Sequence, residues 1–191
     1  MKTVAILPAA GLGTRMAKLQ PENSGVSRKQ FMLLDGVPIL VHTLRKFNAS
    51  DRISEIVVAL RSEDIAWVHE IAEREHFRKP VRAVEGGDTR QESVANALHS
   101  LSPDTDLVAV HDAVRPFASV ALIDEVIDAA ASGGAAIAGI VPVDTVKEVH
   151  KNKVRATLLR EHLILTQTPQ VFRYELLKQA FDQAARDGFT G

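Results

Sequence analysis

Short apolar runs alternate regularly with amphipathic stretches along this sequence, and this alternation limits the folds that it can adopt. The apolar runs are rich in Val, Ile, Leu and Ala, and segments with helical periodicity lie between them. Continuous apolar runs of this length are typical of parallel strands that are buried on both faces. The alternation therefore predicts an α/β fold: a Rossmann-like, mostly parallel sheet with helices on both faces.

The individual elements follow from the same pattern. The predicted strands are Val4–Leu7, Ile56–Leu60, Val81–Val84, Leu107–Val110, Ala135–Val141 and Gln170–Phe172. The predicted helices are Ile39–Phe47, Ser62–His76 with Ser62 as its cap, Gln91–Leu101, Val120–Ala131 and Tyr174–Arg186. Two further strands, Val146–Val149 and Val154–Leu158, predict a hairpin, so we expect one domain over residues 1–191 with a small β-arm around residues 144–165.

Composition excludes several classes of protein. With 191 residues, 46% of them hydrophobic, the chain suits one globular domain with a full core. A net charge of −1 lacks the basic excess of nucleic-acid or membrane-surface binding. The chain has no cysteine, which excludes disulfides and agrees with a cytoplasmic location. We expect neither a membrane span nor a signal peptide before the first strand.

Polar and glycine-rich clusters follow the ends of the predicted strands. They are Pro8–Arg15, Glu85–Ser93, His111–Pro116 and Asp144–Thr145. In parallel α/β sheets, ligands bind beyond the carboxyl ends of the strands. We therefore expect these clusters to contribute to one site.

The first cluster reads Pro-Ala-Ala-Gly-Leu-Gly-Thr-Arg and favours a nucleoside triphosphate site. Gly11 and Gly13 allow successive N–H groups to face phosphate oxygens, and Arg15 adds a permanent, planar charge. Met16 stands where a dinucleotide fingerprint needs a third glycine, and no Gly-Lys-Ser/Thr of a Walker A loop follows. The alternative is an ordinary tight turn from strand to helix.

Lys29 is a second candidate for phosphate binding. An ammonium group near a triphosphate stabilises anionic oxygens, whereas most lysines are simply solvated surface groups. The polar segment Ala17–Arg28 before it predicts a mobile loop.

The later clusters each allow two interpretations. Asp88 or Thr89 caps the following helix, or Asp88 and Ser93 bind the edge of a base. Asp112 is a candidate Mg²⁺ ligand, direct or through water, and Arg115 a candidate phosphate ligand; alternatively, the two form an ion pair that shapes the turn.

No nucleophile paired with a base stands out in the sequence. The polar set therefore favours direct phosphoryl or nucleotidyl transfer by positioning and charge neutralisation, without a covalent intermediate.

Six blocks together resemble the 2-C-methyl-D-erythritol 4-phosphate cytidylyltransferase family: LPAAGLGTRM, SRKQF, GGDTRQESVANAL, VHDAVRPF, PVDTVK and TPQVF. The resemblance runs from Ile6 to Gly191, and its most specific blocks are GGD-x-R-x-x-S and HDA-x-RP. It implies a nucleotide-diphospho-sugar transferase fold. It also implies Mg²⁺-dependent transfer from CTP to methylerythritol phosphate, with release of pyrophosphate, in the non-mevalonate isoprenoid pathway.

The resemblance also implies a role for each matching residue. Arg15 and Lys29 would stabilise charge on the α-phosphate, and Gly11 and Gly13 would bind the triphosphate. Cytosine and ribose would contact Pro8, Ala9, Ala10, Gly87, Asp88 and Ser93. Asp112 would position metal and substrate, and the substrate would lie near Ala113, Arg115 and Thr145. Arg160 would reach the substrate phosphate of a neighbouring subunit, which implies a homodimer joined through the β-arm.

The chain departs from the family pattern at three places. Arg28 replaces the usual proline before Lys-Gln, and the segment Met16–Lys29 is longer than usual. The family continues beyond Gly191 with Thr-Asp-Glu and a later substrate-binding lysine, so the C-terminal end is expected to be truncated.

Two other functions stay open at this point. One is a cytidylyltransferase for another polyol phosphate, such as ribitol 5-phosphate. Another is a catalytically inactive nucleotide-binding module. A dinucleotide-dependent oxidoreductase is disfavoured, because Leu60-Arg61 stands where an acidic residue is expected.

Overall fold

The computed structural model describes residues 1–11 and 28–189. Its strands are β1 (Thr3–Pro8), β2 (Leu33–Leu34), β3 (Val37–Pro38), β4 (Glu55–Leu60), β5 (Val81–Glu85), β6 (Leu107–Val110), β7 (Ala135–Ile140), β8 (Lys147–His150), β9 (Lys153–Thr157) and β10 (Leu165–Arg173). Its helices are α1 (Ile39–Ala49), α2 (Ile65–Arg74), α3 (Arg90–His99), α4 (Val120–Gly133) and α5 (Tyr174–Arg186). Among these described helices, none is long and apolar enough to cross a membrane.

The central sheet has six strands in the order β5-β4-β1-β6-β10-β7. The pairs β1–β4, β1–β6 and β4–β5 are parallel, whereas β10 runs antiparallel to both of its neighbours. The predicted α/β fold with a mostly parallel sheet is therefore confirmed.

The core lies on both faces of this sheet because side chains alternate along each strand. Ala5 and Leu7 of β1 belong to the cluster that includes α1, α2 and α4, while Val4 and Ile6 belong to the cluster with α3 and α5. Each strand can therefore be apolar throughout, as parallel strands covered on both faces are.

Two predicted elements were wrong in extent. The short strand predicted at Gln170–Phe172 is the end of the nine-residue β10, whose pairing with β7 shifts between Thr166 and Gln170. Polar residues and Pro169 interrupt the apolar pattern in the first half of β10, so the sequence did not predict a strand there. The helix predicted from Ser62 begins at Ile65, after a 3-10 turn over Ser62–Asp64, and Ser62 does not cap it.

The order of the strands locates the functional end of the sheet. From β1 the chain moves outward through β4 to β5, and then returns to place β6 on the other side of β1. The strand order therefore reverses between β1 and β6. Such a switch point leaves a crevice at the carboxyl ends of the two strands, where α/β proteins bind ligands.

β8 and β9 pair antiparallel and form the predicted hairpin. Its turn residues Lys151 and Asn152 have φ of 47° and 60°, as a tight two-residue hairpin turn requires. Every residue of both strands is exposed in the single chain.

Candidate active site

A cavity of about 220 Å³ lies at the switch point between β1 and β6. It brings together most of the residues predicted to bind a nucleotide: Pro8, Ala10, Gly11, Gly87, Asp88, Ser93 and Asp112. Ala113, which was predicted to lie near the acceptor substrate, lines the same cavity. These residues come from three separate clusters of the sequence, and the carboxyl ends of β1, β5 and β6 bring them to one edge of the sheet. Ala9 is buried beneath the cavity, and its N–H donates to the Ala59 carbonyl at 2.7 Å.

The turn between β5 and α3 is held by Thr89 and Ser93. Thr89 caps α3 in a capping box with Glu92, which answers whether Asp88 or Thr89 is the cap. The Ser93 hydroxyl accepts from the Gly87 N–H at 3.1 Å and donates to the Thr89 carbonyl at 2.9 Å. Ser93 therefore stabilises the turn, and the Asp88 side chain is exposed at the cavity. The contact of Asp88 and Ser93 with a base stays a prediction.

Gly86 allows this turn to pack directly against the loop after β1. A Cβ at Gly86 would lie 2.6 Å from Ala10 Cβ and 2.9 Å from Ser93 Oγ. Side chains do not approach this closely, so the substitution would push apart the two loops that line the cavity.

Replacing Gly86 with alanine should therefore destabilise the protein, by about 1–3 kcal/mol as for other overpacked sites. Urea unfolding measures the change. Gly133→Ala is the matched control, because no atom lies within 4 Å of a Cβ at Gly133 and its φ is not positive. The control should leave stability unchanged or raise it, and equal losses in the two variants would contradict the packing argument.

Asp112 lies between two arginines at the end of β6. Arg90 Nε donates to Oδ1 and Arg115 Nε donates to Oδ2, each at 2.9 Å. Burial raises the pKa of the Asp112 carboxyl, but the charge of Arg90 and the hydrogen bonds from both arginines outweigh it and lower the pKa overall. Asp112 is thus held as a carboxylate, and the trio carries a net positive charge that suits phosphate groups.

The predicted Asp112–Arg115 ion pair is therefore present, and Arg90 was missed. The only sign of Arg90 in the sequence is its place in the GGD-x-R block. Its ion pair with Asp112 spans 22 residues, and such a distant pair cannot be inferred from spacing.

His111 anchors the loop that carries Asp112. Its ring is fully buried, with Nε2 3.0 Å from the Arg115 carbonyl and Nδ1 3.0 Å from Thr168 Oγ1. Burial lowers the pKa of the imidazole, so it is neutral, donates from Nε2 and accepts at Nδ1. Thr168 Oγ1 in turn accepts from the Asp112 N–H at 3.4 Å, so β10 fixes the backbone at Asp112.

Replacing His111 with leucine should destabilise the protein by about 2–4 kcal/mol, because the Arg115 carbonyl and the Thr168 hydroxyl each lose a buried partner. Chemical denaturation followed by circular dichroism measures the loss. The exposed His99→Leu substitution is the control and should change stability by less than about 0.5 kcal/mol. Similar values for the two variants would rule out an anchoring role for His111.

A second cavity, of about 480 Å³, adjoins this loop on the side of β10. Arg115, His111, Gln167, Thr168 and Phe117 are among its lining residues. Arg115 Nη1 donates to Gln167 Oε1 at 2.5 Å, so its guanidinium group spans Asp112 and β10. The loop after β6 thus separates two cavities and presents charged groups to both.

Lys29 begins a 3-10 turn over Lys29–Phe31. The next residue, Gln30, is buried and donates from Nε2 to the Ala9 carbonyl at 2.7 Å. This contact places the turn against the carboxyl end of β1, beside the first cavity.

Thr145 and Arg160 lie apart from these cavities, at the base of the arm. Thr145 is exposed, and Arg160 Nη1 donates to the Val143 carbonyl at 2.9 Å. Neither residue lines the two cavities within one chain. Gly13, Arg15 and the loop predicted over Ala17–Arg28 lie outside the described residues, apart from Arg28 itself.

The described residues offer few ligands for a divalent cation. Across residues 1–11 and 28–189, no group of three or more His, Asp or Glu side chains could hold a metal ion by itself. Two carboxylates line the first cavity, those of Asp88 and Asp112, and the Asp112 side chain is 25% exposed. So small a set fits Mg²⁺, which is usually bound through one or two carboxylates together with substrate phosphates.

The sheet topology and the charged groups at its switch point are those expected of an α/β nucleotidyltransferase. Residues 3–191 match the family described as IspD, 2-C-methyl-D-erythritol 4-phosphate cytidylyltransferase. The chain belongs to this family.

Relatives and solved structures agree with this assignment. The cytidylyltransferases of Solibacter usitatus and Acidobacterium capsulatum are 59% and 46% identical to the chain, over all of it and 80% and 81% of their own lengths. The 4-diphosphocytidyl-2C-methyl-D-erythritol synthase of Anaerococcus prevotii superposes with a TM-score of 0.85 at 29% identity, over all of this chain and 79% of its own. The Thermus thermophilus enzyme superposes with a TM-score of 0.73 at 31% identity, over all of this chain and 80% of its own.

Proposed function

We propose that this chain transfers the cytidylyl group of CTP to 2-C-methyl-D-erythritol 4-phosphate. The observation that carries the proposal is the position of Asp112, Arg90 and Arg115 between two cavities. One cavity is formed by the loops predicted to bind the nucleotide, and the other is open to an anionic acceptor at Arg115. Two phosphate-bearing substrates would meet at this loop.

The reaction needs positioning and charge neutralisation more than covalent chemistry. An oxygen of the acceptor phosphate forms a bond to the α-phosphorus of CTP, and the bond from that phosphorus to the bridging oxygen of the β-phosphate breaks. Pyrophosphate leaves with the bonding electrons. Arg15 and Lys29 would stabilise negative charge on the α-phosphate, Arg115 would bind the acceptor, and the Gly87–Ser93 turn would hold the nucleoside.

Mg²⁺ is the proposed cofactor, held by Asp112 and the phosphate oxygens of the nucleotide. When bound, it would supply positive charge that neutralises the triphosphate and the departing pyrophosphate. Arg90 and Arg115 hold the Asp112 carboxylate in place.

A homodimer joined through the β-arm is also proposed. The arm and its base expose apolar side chains, among them Val143, Val149, Val154 and Leu159. An exposed apolar surface of this kind marks an interaction site. A dimer would also give Thr145 and Arg160 a role at the partner's acceptor cavity. A cytoplasmic location is also proposed, and a sequence without cysteine is compatible with that reducing compartment.

The test of the function is pyrophosphate release with CTP and Mg²⁺, with methylerythritol phosphate and ribitol 5-phosphate compared as acceptors. We expect release with methylerythritol phosphate and little with ribitol 5-phosphate. The reverse preference would show that the chain is a cytidylyltransferase for ribitol 5-phosphate. CTP binding without release of pyrophosphate in the presence of either acceptor would favour an inactive nucleotide-binding module.

Light scattering of the same sample tests the proposed dimer, which Val149→Glu should dissociate.

A further inference from the structure

The backbone around Lys29 is fastened on both sides of that residue. On one side, Gln30 donates to the Ala9 carbonyl at the end of β1. On the other side, Arg28 Nη2 donates to Asp64 Oδ1 at 2.6 Å, and Arg28 Nη1 lies 2.6 Å from Asp64 Oδ2. Lys29 is therefore held between the carboxyl end of β1 and the beginning of α2.

The pair of Arg28 and Asp64 is largely shielded from water. The Asp64 side chain is 9% exposed and the Arg28 side chain 25% exposed. Asp64 is the N-cap residue of α2, yet its carboxylate makes no capping hydrogen bond and faces Arg28 instead. The hydrogen bond from Arg28 Nη2 to Asp64 Oδ1 is directional. Asp64 Oδ2 is buried without a hydrogen-bond partner and is attracted to Nη1 by charge alone, while Nη1 donates to Glu63 Oε1 at 3.2 Å. Solvent screens a largely buried ion pair only a little, so the contact fixes the orientation of the Arg28 side chain.

An aromatic contact attaches the other end of the same turn to α2. The guanidinium carbon of Arg28 lies 5.4 Å from the centroid of the Phe31 ring. That ring packs edge-on against Trp67 of α2, with centroids 4.8 Å apart. Residues on both sides of Lys29 thus contact α2 or the turn before it, and the 3-10 turn is fixed as a unit.

We propose that Arg28 and Asp64 are positioning residues for Lys29. This role rests on the proposed function, in which the Lys29 ammonium stabilises charge on the α-phosphate. A charged group aids a reaction most when it is already in place and needs no reorganisation as charge develops. The ion pair holds the Lys29 backbone in place before the substrates bind. Neither Arg28 nor Asp64 touches the substrates.

The first test is pyrophosphate release by Arg28→Ala. We expect kcat to fall about tenfold or more, because small misplacements of catalytic groups are costly, while KM for both substrates changes less than about threefold. Asp64→Asn keeps the volume of the side chain but removes its charge, and should lower kcat in the same way. This second variant guards against a folding defect caused by truncation.

Arg45→Ala is the matched control. Arg45 of α1 also forms an ion pair with a carboxylate next to α2, since it donates to Glu75 at the other end of that helix through two hydrogen bonds of 2.7 and 3.1 Å. Its removal loosens the same helix without touching the turn at Lys29. We expect Arg45→Ala to retain the wild-type kcat.

The decisive measurement combines the Arg28 and Lys29 substitutions. If Arg28 acts through Lys29, Arg28→Ala causes no further loss of kcat in a Lys29→Ala background. Losses that multiply, or an Arg28→Ala kcat equal to that of Arg45→Ala, would overturn the positioning role alone. A wild-type chain that releases no pyrophosphate would instead overturn the proposed function, and this role with it.

Discussion

Replacing Lys29 with alanine should lower kcat for pyrophosphate release by about 10²–10³-fold, the usual cost of removing one preorganised group that stabilises developing charge. The Lys29 backbone lies beside the end of β1, through the Gln30 contact with Ala9. Its ammonium would act on charge that grows during transfer, so the effect should fall on kcat more than on KM.

The control for Lys29 is Lys46→Ala on α1. Lys46 is exposed and lies in the last turn of a helix, away from the cavities. It should retain wild-type kinetics. A Lys29→Ala variant with kcat within about threefold of wild type would show that Lys29 is the solvated surface lysine of the alternative interpretation.

Asp112→Asn should lower kcat/KM by about 10²-fold, because truncating one partner of a hydrogen-bonded charge pair typically costs a few kcal/mol. Asparagine has the same shape but offers one carbonyl oxygen where Arg90 and Arg115 now share two. The amide would bring N–H donors towards one of the arginines. Both guanidinium groups would then move, and with them the boundary between the two cavities.

Steady-state kinetics at several Mg²⁺ concentrations separate the two roles proposed for Asp112. If Asp112 binds the metal, the Mg²⁺ concentration for half-maximal rate rises in the variant. If it only orients Arg115, the Mg²⁺ requirement is unchanged and KM for the acceptor rises. Asp128→Asn is the matched control, since Asp128 pairs with Arg52 on the exposed surface. An Asp112→Asn variant as active as this control would contradict both roles.

Much of the fold could be predicted because parallel strands leave a strong local signal. β1, β4 and β6 are apolar on both faces, and the helices between them are amphipathic, so each element was visible within its own segment. β10 was misjudged for the opposite reason. Its pairing with β7 is interrupted, and polar residues occupy much of its first half, so local pattern did not reveal a strand.

The alternation of strands and helices, the polar clusters at the strand ends and the motif residues could be predicted, because each lies within a contiguous segment of the chain. Which of those polar groups contact one another could be seen only in the folded chain. Arg90 pairs with Asp112, His111 with Thr168, and Arg28 with Asp64, across 22, 57 and 36 residues. Such partnerships depend on strand order and register, which bring distant segments to one edge of the sheet.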